Sequence, residues 1–116
     1  MNEQELNKLK RKLAKFAGFK KLPTVFRDSS WMSPDGIYML ESRLPNFPHS
    51  LDDCFKRLPV PSMSVGKDID ENGEVYFIGV ANLDGLNNSY GEDKHNPALA
   101  LCLAIEKLID GEVKNG

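Results

Sequence analysis

The stretch NPALALCLAIEKLI, from Asn96 to Ile109, constrains the fold more than any other part of the chain. Asparagine caps helices well, and proline suits the first helical position, where its missing N–H is not needed. The residues that follow are apolar around nearly the whole helical circumference, and such a helix persists in water only inside a packed core. The rest of the chain must supply cover on several sides. With 116 residues it has length for one such core and too little for two, so we expect a single domain over residues 1–116.

Residues 2–17 place Leu6, Leu9, Leu13 and Phe16 on one helical stripe, with Lys8, Lys10, Arg11, Lys12 and Lys15 over most of the remaining surface. Segment 1–17 therefore reads as an amphipathic basic helix, stopped by Gly18. Lys20 to Thr24 reads as a linker closed by Pro23. Val25 to Leu44 is a short mixed stretch, in which SPDG at 33–36 signals a turn and Ile37 to Leu40 a strand. Trp31 reads as a core or lid aromatic rather than a ligand-stacking one, because its large apolar area is best used in packing. In LPNFPHSLDDCFKRLP, Ser50 caps a short helix that Pro59 ends, with Leu51, Cys54, Phe55 and Leu58 on one apolar face.

Residues 63–69 and 74–82 flank Asp70-Glu71-Asn72-Gly73, and the Asn-Gly pair supplies the positive dihedrals of a tight β-hairpin. Val75 to Ala81 is apolar on both faces apart from Gly79, which predicts a central strand with structure against both sides and a close approach at the glycine. Residues 82–96 read as a long polar loop and 112–116 as a flexible tail. Taken in order, these elements predict an α+β fold, with a small β-sheet containing an antiparallel hairpin packed against about three helices.

The 15 Lys and Arg against 17 Asp and Glu give a net charge of -2, a balance unlike that of a general DNA binder. The charge is unevenly placed: residues 1–27 carry net +6 and residues 28–116 net -8. Cys54 and Cys102, the two cysteines, each fall in an apolar helical pattern and read as buried free thiols in a reducing compartment. No signal-peptide pattern opens the chain, and the apolar run Pro97 to Ile105 is about half the length of a membrane span. We therefore expect an intracellular protein without membrane association.

Catalytic and cofactor patterns are weak. His49 with Cys54 and His95 with Cys102 match no standard zinc spacing. Cys54 follows Asp52 and Asp53, whose charges oppose thiolate formation while the helix dipole favours it. There is no GxGxxG string, and Gly66-Lys67 lacks the rest of a phosphate loop. Asp84, Asn87, Asn88 and Glu92 miss the spacing of a calcium loop. We expect no catalytic residues, no metal and no cofactor. The candidate contact residues are Lys8, Arg11, Lys12 and Lys15 on the first helix, with Asp84, Asn87, Asn88 and Tyr90 on the polar loop. The basic array suits a protein partner, nucleic-acid phosphates as an alternative, or simply a solvated face that keeps the domain soluble. The oligomeric state is open, because an apolar helix reads the same whichever copy covers it.

Three segments together resemble a family of small uncharacterised phage and prophage proteins, the phage ABA-sandwich domain. They are KLAKFAGF, LPNFPHSLDDCFKRL and NPALALCLAIEKLI, with Trp31 and Ser33 to Gly36 fitting the tryptophan-and-turn region between the first two. The resemblance implies helices against a small sheet, a gene carried by a phage or integrated element, and no enzyme activity. It leads us to expect an accessory protein in the cytoplasm of a bacterial host that binds a host or phage protein.

Overall fold

The computed structural model describes residues 1–23, 30–85 and 87–111. Among the described residues three α-helices, α1 (Glu3–Phe16), α2 (Leu51–Arg57) and α3 (Pro97–Ile109), accompany six strands. The strands are β1 (Lys20–Lys21), β2 (Ser30–Met32), β3 (Tyr38–Leu40), β4 (Ser62–Ile69), β5 (Val75–Asn82) and β6 (Ser89–Asp93). They form two antiparallel three-stranded sheets, ordered β1-β2-β3 and β4-β5-β6. The α+β class expected from the sequence is the observed one, built with two small sheets.

Helix α3 starts and lies where its sequence requires. The Asn96 side chain accepts from the backbone N–H groups of Ala98 and Leu99, and Pro97 occupies the first turn. Residues Ala98 to Cys102, together with Ala104 and Ile105, are buried, so the helix is covered on nearly all sides. One of its sides lies on β5 and β6, while α1 and α2 pack on it from elsewhere. Ser50 caps α2 as expected, whereas the cap of α1 was not read from the sequence. Asn2 and Glu5 form a reciprocal capping box on α1, and Ser50 accepts from Asp53 N on α2. Leu9, Leu13, Trp31, Phe47, Cys54, Leu101, Cys102 and Ile105 join one continuous core.

The second sheet explains why β5 contains a glycine. In register, Gly79 faces Val65 on one side and Gly91 on the other. Alternation puts Met63, Val65, Phe77, Ala81 and Ser89 on the same side as these glycines. The α3 backbone rests there: a Cβ on Gly79 would lie 2.5 Å from Leu101 N, and one on Gly91 would lie 2.5 Å from Ala104 N. The buried Ser89 hydroxyl donates to Ala104 O at 2.6 Å, fastening the helix to the strand.

Several expectations need correction. Residues 82–96 are not a continuous loop, since Ser89–Asp93 form β6. Their polar composition hid a strand whose helix side is deliberately small, Ser89 and Gly91, and whose hydrogen bonds come from the free edge of β5. Lys20 and Lys21 are likewise not linker but β1, paired with Met32 and Trp31. Among the described residues, β5 is covered by a helix on one side and not both. The end of the expected linker at Thr24, residues 25–29 of the mixed stretch, Leu86 of the expected loop and the tail 112–116 lie outside the described residues.

Candidate interaction surface

The helix α1 lysines were the leading sequence candidates, and the structure gives them unequal surroundings. Lys12 reaches across to α3, with Nζ 3.1 Å from Glu106 Oε2 and 3.0 Å from Asp110 Oδ1. Hydrogen bonding to Asp110 raises its pKa above the ordinary lysine range; partial desolvation opposes this, and Glu106 adds to the rise. Arg11 lies 3.4 Å from Glu41. The same carboxylate accepts from the indole N–H of the buried Trp31 at 3.3 Å. Lys12 and Arg11 thus tie α1 to the rest of the fold. Lys8 and Lys15 are exposed on the same helix, and Lys20 and Lys21 are exposed just beyond it. A charge array that looks uniform in sequence is split between structural ties and open cations.

The loop candidates gather at one end of the second sheet. Asp84 accepts from the backbone and side-chain amides of Asn87, at 2.9 and 3.3 Å. Asn82 accepts from Gly85 N and donates to Asn88 Oδ1 at 2.9 Å. Asn88 in turn donates to the Tyr90 hydroxyl at 3.3 Å. This relay joins Asn82, Asn88 and Tyr90, and Tyr90, 51% exposed, stands at its border.

From Tyr90 the sheet side opposite α3 extends along β5. Val80 pairs in register with Tyr90 and Ser64, Ile78 with Glu92 and Gly66, and Tyr76 with Asp68. Alternation places all of these on the side away from α3. The middle of this side is apolar and aromatic: Val80, Ile78 and Tyr76 are half-buried among their neighbours, and among the described residues no helix packs over them. Its far end is acidic. Desolvation, then the carboxylates of Asp68, Glu92 and Asp70, push the Tyr76 hydroxyl above the ordinary tyrosine range. A shallow recess of about 350 Å³ opens there between Asp70, Tyr76, Glu92, Asp93 and Lys94.

Beyond the last β6 pairing, Phe77 with Asp93, the β4-β5 hairpin continues as a two-stranded arm. At its tip Ile69 and Val75 face each other in register and are 63% and 50% exposed. Asp70 shapes the turn by accepting from Asn72 N and Glu74 N, and Gly73 has φ +81°. A two-stranded ribbon is marginal alone. This one is continuous with a sheet that α3 anchors.

Of the sequence candidates, Tyr90, Asn88, Asn87 and Asp84 cluster on the border of this uncovered side, whereas the α1 cations lie on a different helix. Sequence reasoning missed Tyr76, Ile78 and Val80 as surface residues. The signal was present in the two-sided apolar pattern of β5, which does not distinguish a side covered by its own chain from one left for another.

A larger recess of about 490 Å³ lies between the first sheet and α2, floored by Phe19, Met39 and Leu44. Arg43 and Arg57 at its rim are balanced by Asp35 and Asp53, and Arg57 already pairs with Asp53 at 3.5 Å. Its mixed charge selects no ligand of either sign. Among the described residues, no group of three or more His, Cys, Asp or Glu side chains is arranged to hold a metal, and no helix is long and apolar enough to cross a membrane. No family model, no curated protein and no solved structure matches this chain.

Proposed function

We propose that this chain is a non-catalytic phage or prophage accessory protein that binds a protein partner through the uncovered side of its second sheet. One observation supports the reading: Tyr76, Ile78, Val80 and Tyr90 form an apolar and aromatic strip on a sheet side that no helix among the described residues covers. Such strips on small domains are typical of protein contacts, where aromatic side chains contribute large buried area at little entropic cost. The acidic end formed by Asp68, Asp70 and Glu92 specifies the partner's chemistry. It calls for an apolar patch bordered by lysine or arginine, and it repels nucleic acid. The phage setting rests on the resemblance of the three sequence segments.

The test is affinity capture from host and infected-cell lysates on immobilised protein, with and without nuclease, comparing the wild type with two variants. Val80→Lys places a cation in the strip. Lys8→Glu combined with Lys15→Glu reverses the open cations of α1. The reading expects a protein that survives nuclease, is lost with Val80→Lys and is retained by the α1 variant. Capture that is nuclease-sensitive and lost with the α1 variant would overturn it in favour of nucleic-acid binding. A protein retained equally by all three baits would exclude this strip as the contact.

A further inference from the structure

Cys54 on α2 and Cys102 on α3 are far apart in sequence yet meet in the core, with their sulfurs 3.6 Å apart and both side chains fully buried. Two cysteines are the chain's whole complement, so each has the other as its sole thiol neighbour. A disulfide requires an S–S distance near 2.05 Å, so the sulfurs need approach by only about 1.5 Å. Helix α2 is seven residues long and packs on α3 and the turn at Phe47–His49, where Cys54 Sγ also lies 3.3 Å from Phe47 O.

We propose that Cys54 and Cys102 are a redox modification site, which closes into an intramolecular disulfide stapling α2 to α3 when the protein meets a small-molecule disulfide. The thiolate of one cysteine attacks the disulfide RSSR, forming a protein mixed disulfide and releasing the first thiolate RS⁻. The second cysteine thiolate attacks the protein sulfur of that mixed disulfide, forming the Cys54–Cys102 bond and releasing the second RS⁻. The two cysteine protons end on the two RSH molecules. The protein loses two electrons and RSSR gains them.

The closed fold holds the pair reduced. The neighbouring Cys54 thiol, and then burial, push Cys102 far above the ordinary thiol range, so the Cys102 thiolate is scarce while the core is intact. Opening of the short α2 is the step that admits the oxidant, and the finished cross-link suppresses that opening. The loop it closes runs from Cys54 to Cys102 and contains all of β4, β5 and β6.

The experiment incubates the folded full-length protein with oxidised and reduced glutathione at graded ratios, quenches with acid, and alkylates under denaturing conditions for intact-mass and peptide analysis. The expected product is a monomer with no alkylatable thiol, a Cys54–Cys102 cross-linked peptide and no attached glutathione. Its α2 amides should exchange more slowly than in the reduced protein, and its thermal midpoint should rise. Cys54→Ala and Cys102→Ala should each give only a mixed disulfide. If the wild type instead keeps both thiols, carries stable glutathione adducts or forms intermolecular dimers at oxidising ratios, the proposal is overturned.

Discussion

Gly79 and Gly91 lie directly opposite one another in neighbouring strands, and together they form the shallow seat on which the α3 backbone rests. The absence of two side chains brings a helix close to a sheet, and this closeness lets the Ser89 hydroxyl reach Ala104 O.

Gly79→Ala therefore inserts a methyl group against the backbone of α3, which cannot yield as a flexible side chain can. We expect a loss of about 3 kcal/mol, at the upper end of ordinary overpacking costs, measured as a lower urea midpoint with unchanged slope. Gly66→Ala is the matched control. It lies on β4 with nothing within 4 Å of the added carbon, and should be neutral or gain about 0.5 kcal/mol. Equal losses in the two variants would mean that strand glycine itself, and not the α3 seat, is being read.

Asn96 performs two tasks at the start of α3. Its oxygen accepts from Ala98 N and Leu99 N, while its Nδ2 donates to Pro48 O at 2.8 Å, joining the helix to the turn before α2. Asn96→Ala should cost about 2 kcal/mol, and Asn96→Asp, which keeps the acceptor and adds a favourable negative charge at the helix start, roughly half of that. Thermal or urea unfolding of the three proteins gives the order directly, and an Asp variant as damaged as the Ala variant would show that the Pro48 bond dominates.

Lys12 links α1 to α3 through Glu106 and Asp110, and its partial exposure limits the gain. Lys12→Met should cost about 1 kcal/mol or less, shrinking further at high salt. The pH dependence has a definite sign. Because the folded state raises the Lys12 pKa, its contribution is fully present below the unfolded value of 10.5 and is lost as pH rises through the folded value. Wild-type and variant stabilities should converge above pH 10.5 and differ by a constant amount between pH 7 and 9, as followed by urea unfolding at each pH.

The elements whose chemistry is local were legible in sequence. The Asn96-Pro97 start, the Ser50 cap and the Asn72-Gly73 turn announce themselves because the backbone groups they satisfy lie within four residues. β1 and β6 were not, because their hydrogen bonds are made to partners that sequence proximity does not reveal. The same limit applied to the candidate surface. Lys12 and Arg11 look like Lys8 and Lys15 until Asp110, Glu106 and Glu41 arrive from distant segments, and Val80 looks like core until one asks which side α3 occupies.

That last distinction can be tested with two adjacent residues. Val80 points away from α3, while Ala81 points toward it and is fully buried. Lysine at position 80 keeps its ammonium in water and should change stability by no more than about 1 kcal/mol. Lysine at position 81 must either bury an unpaired charge or push α3 off the sheet, and should cost about 4 kcal/mol or more, a large share of the stability of an ordinary domain. Far-ultraviolet circular dichroism with urea titration separates the cases. If Val80→Lys destabilises the protein as much as Ala81→Lys does, the strip is core, and the partner-binding reading loses the surface on which it depends. If Val80→Lys stays folded, any loss of capture with that variant reports on the contact itself.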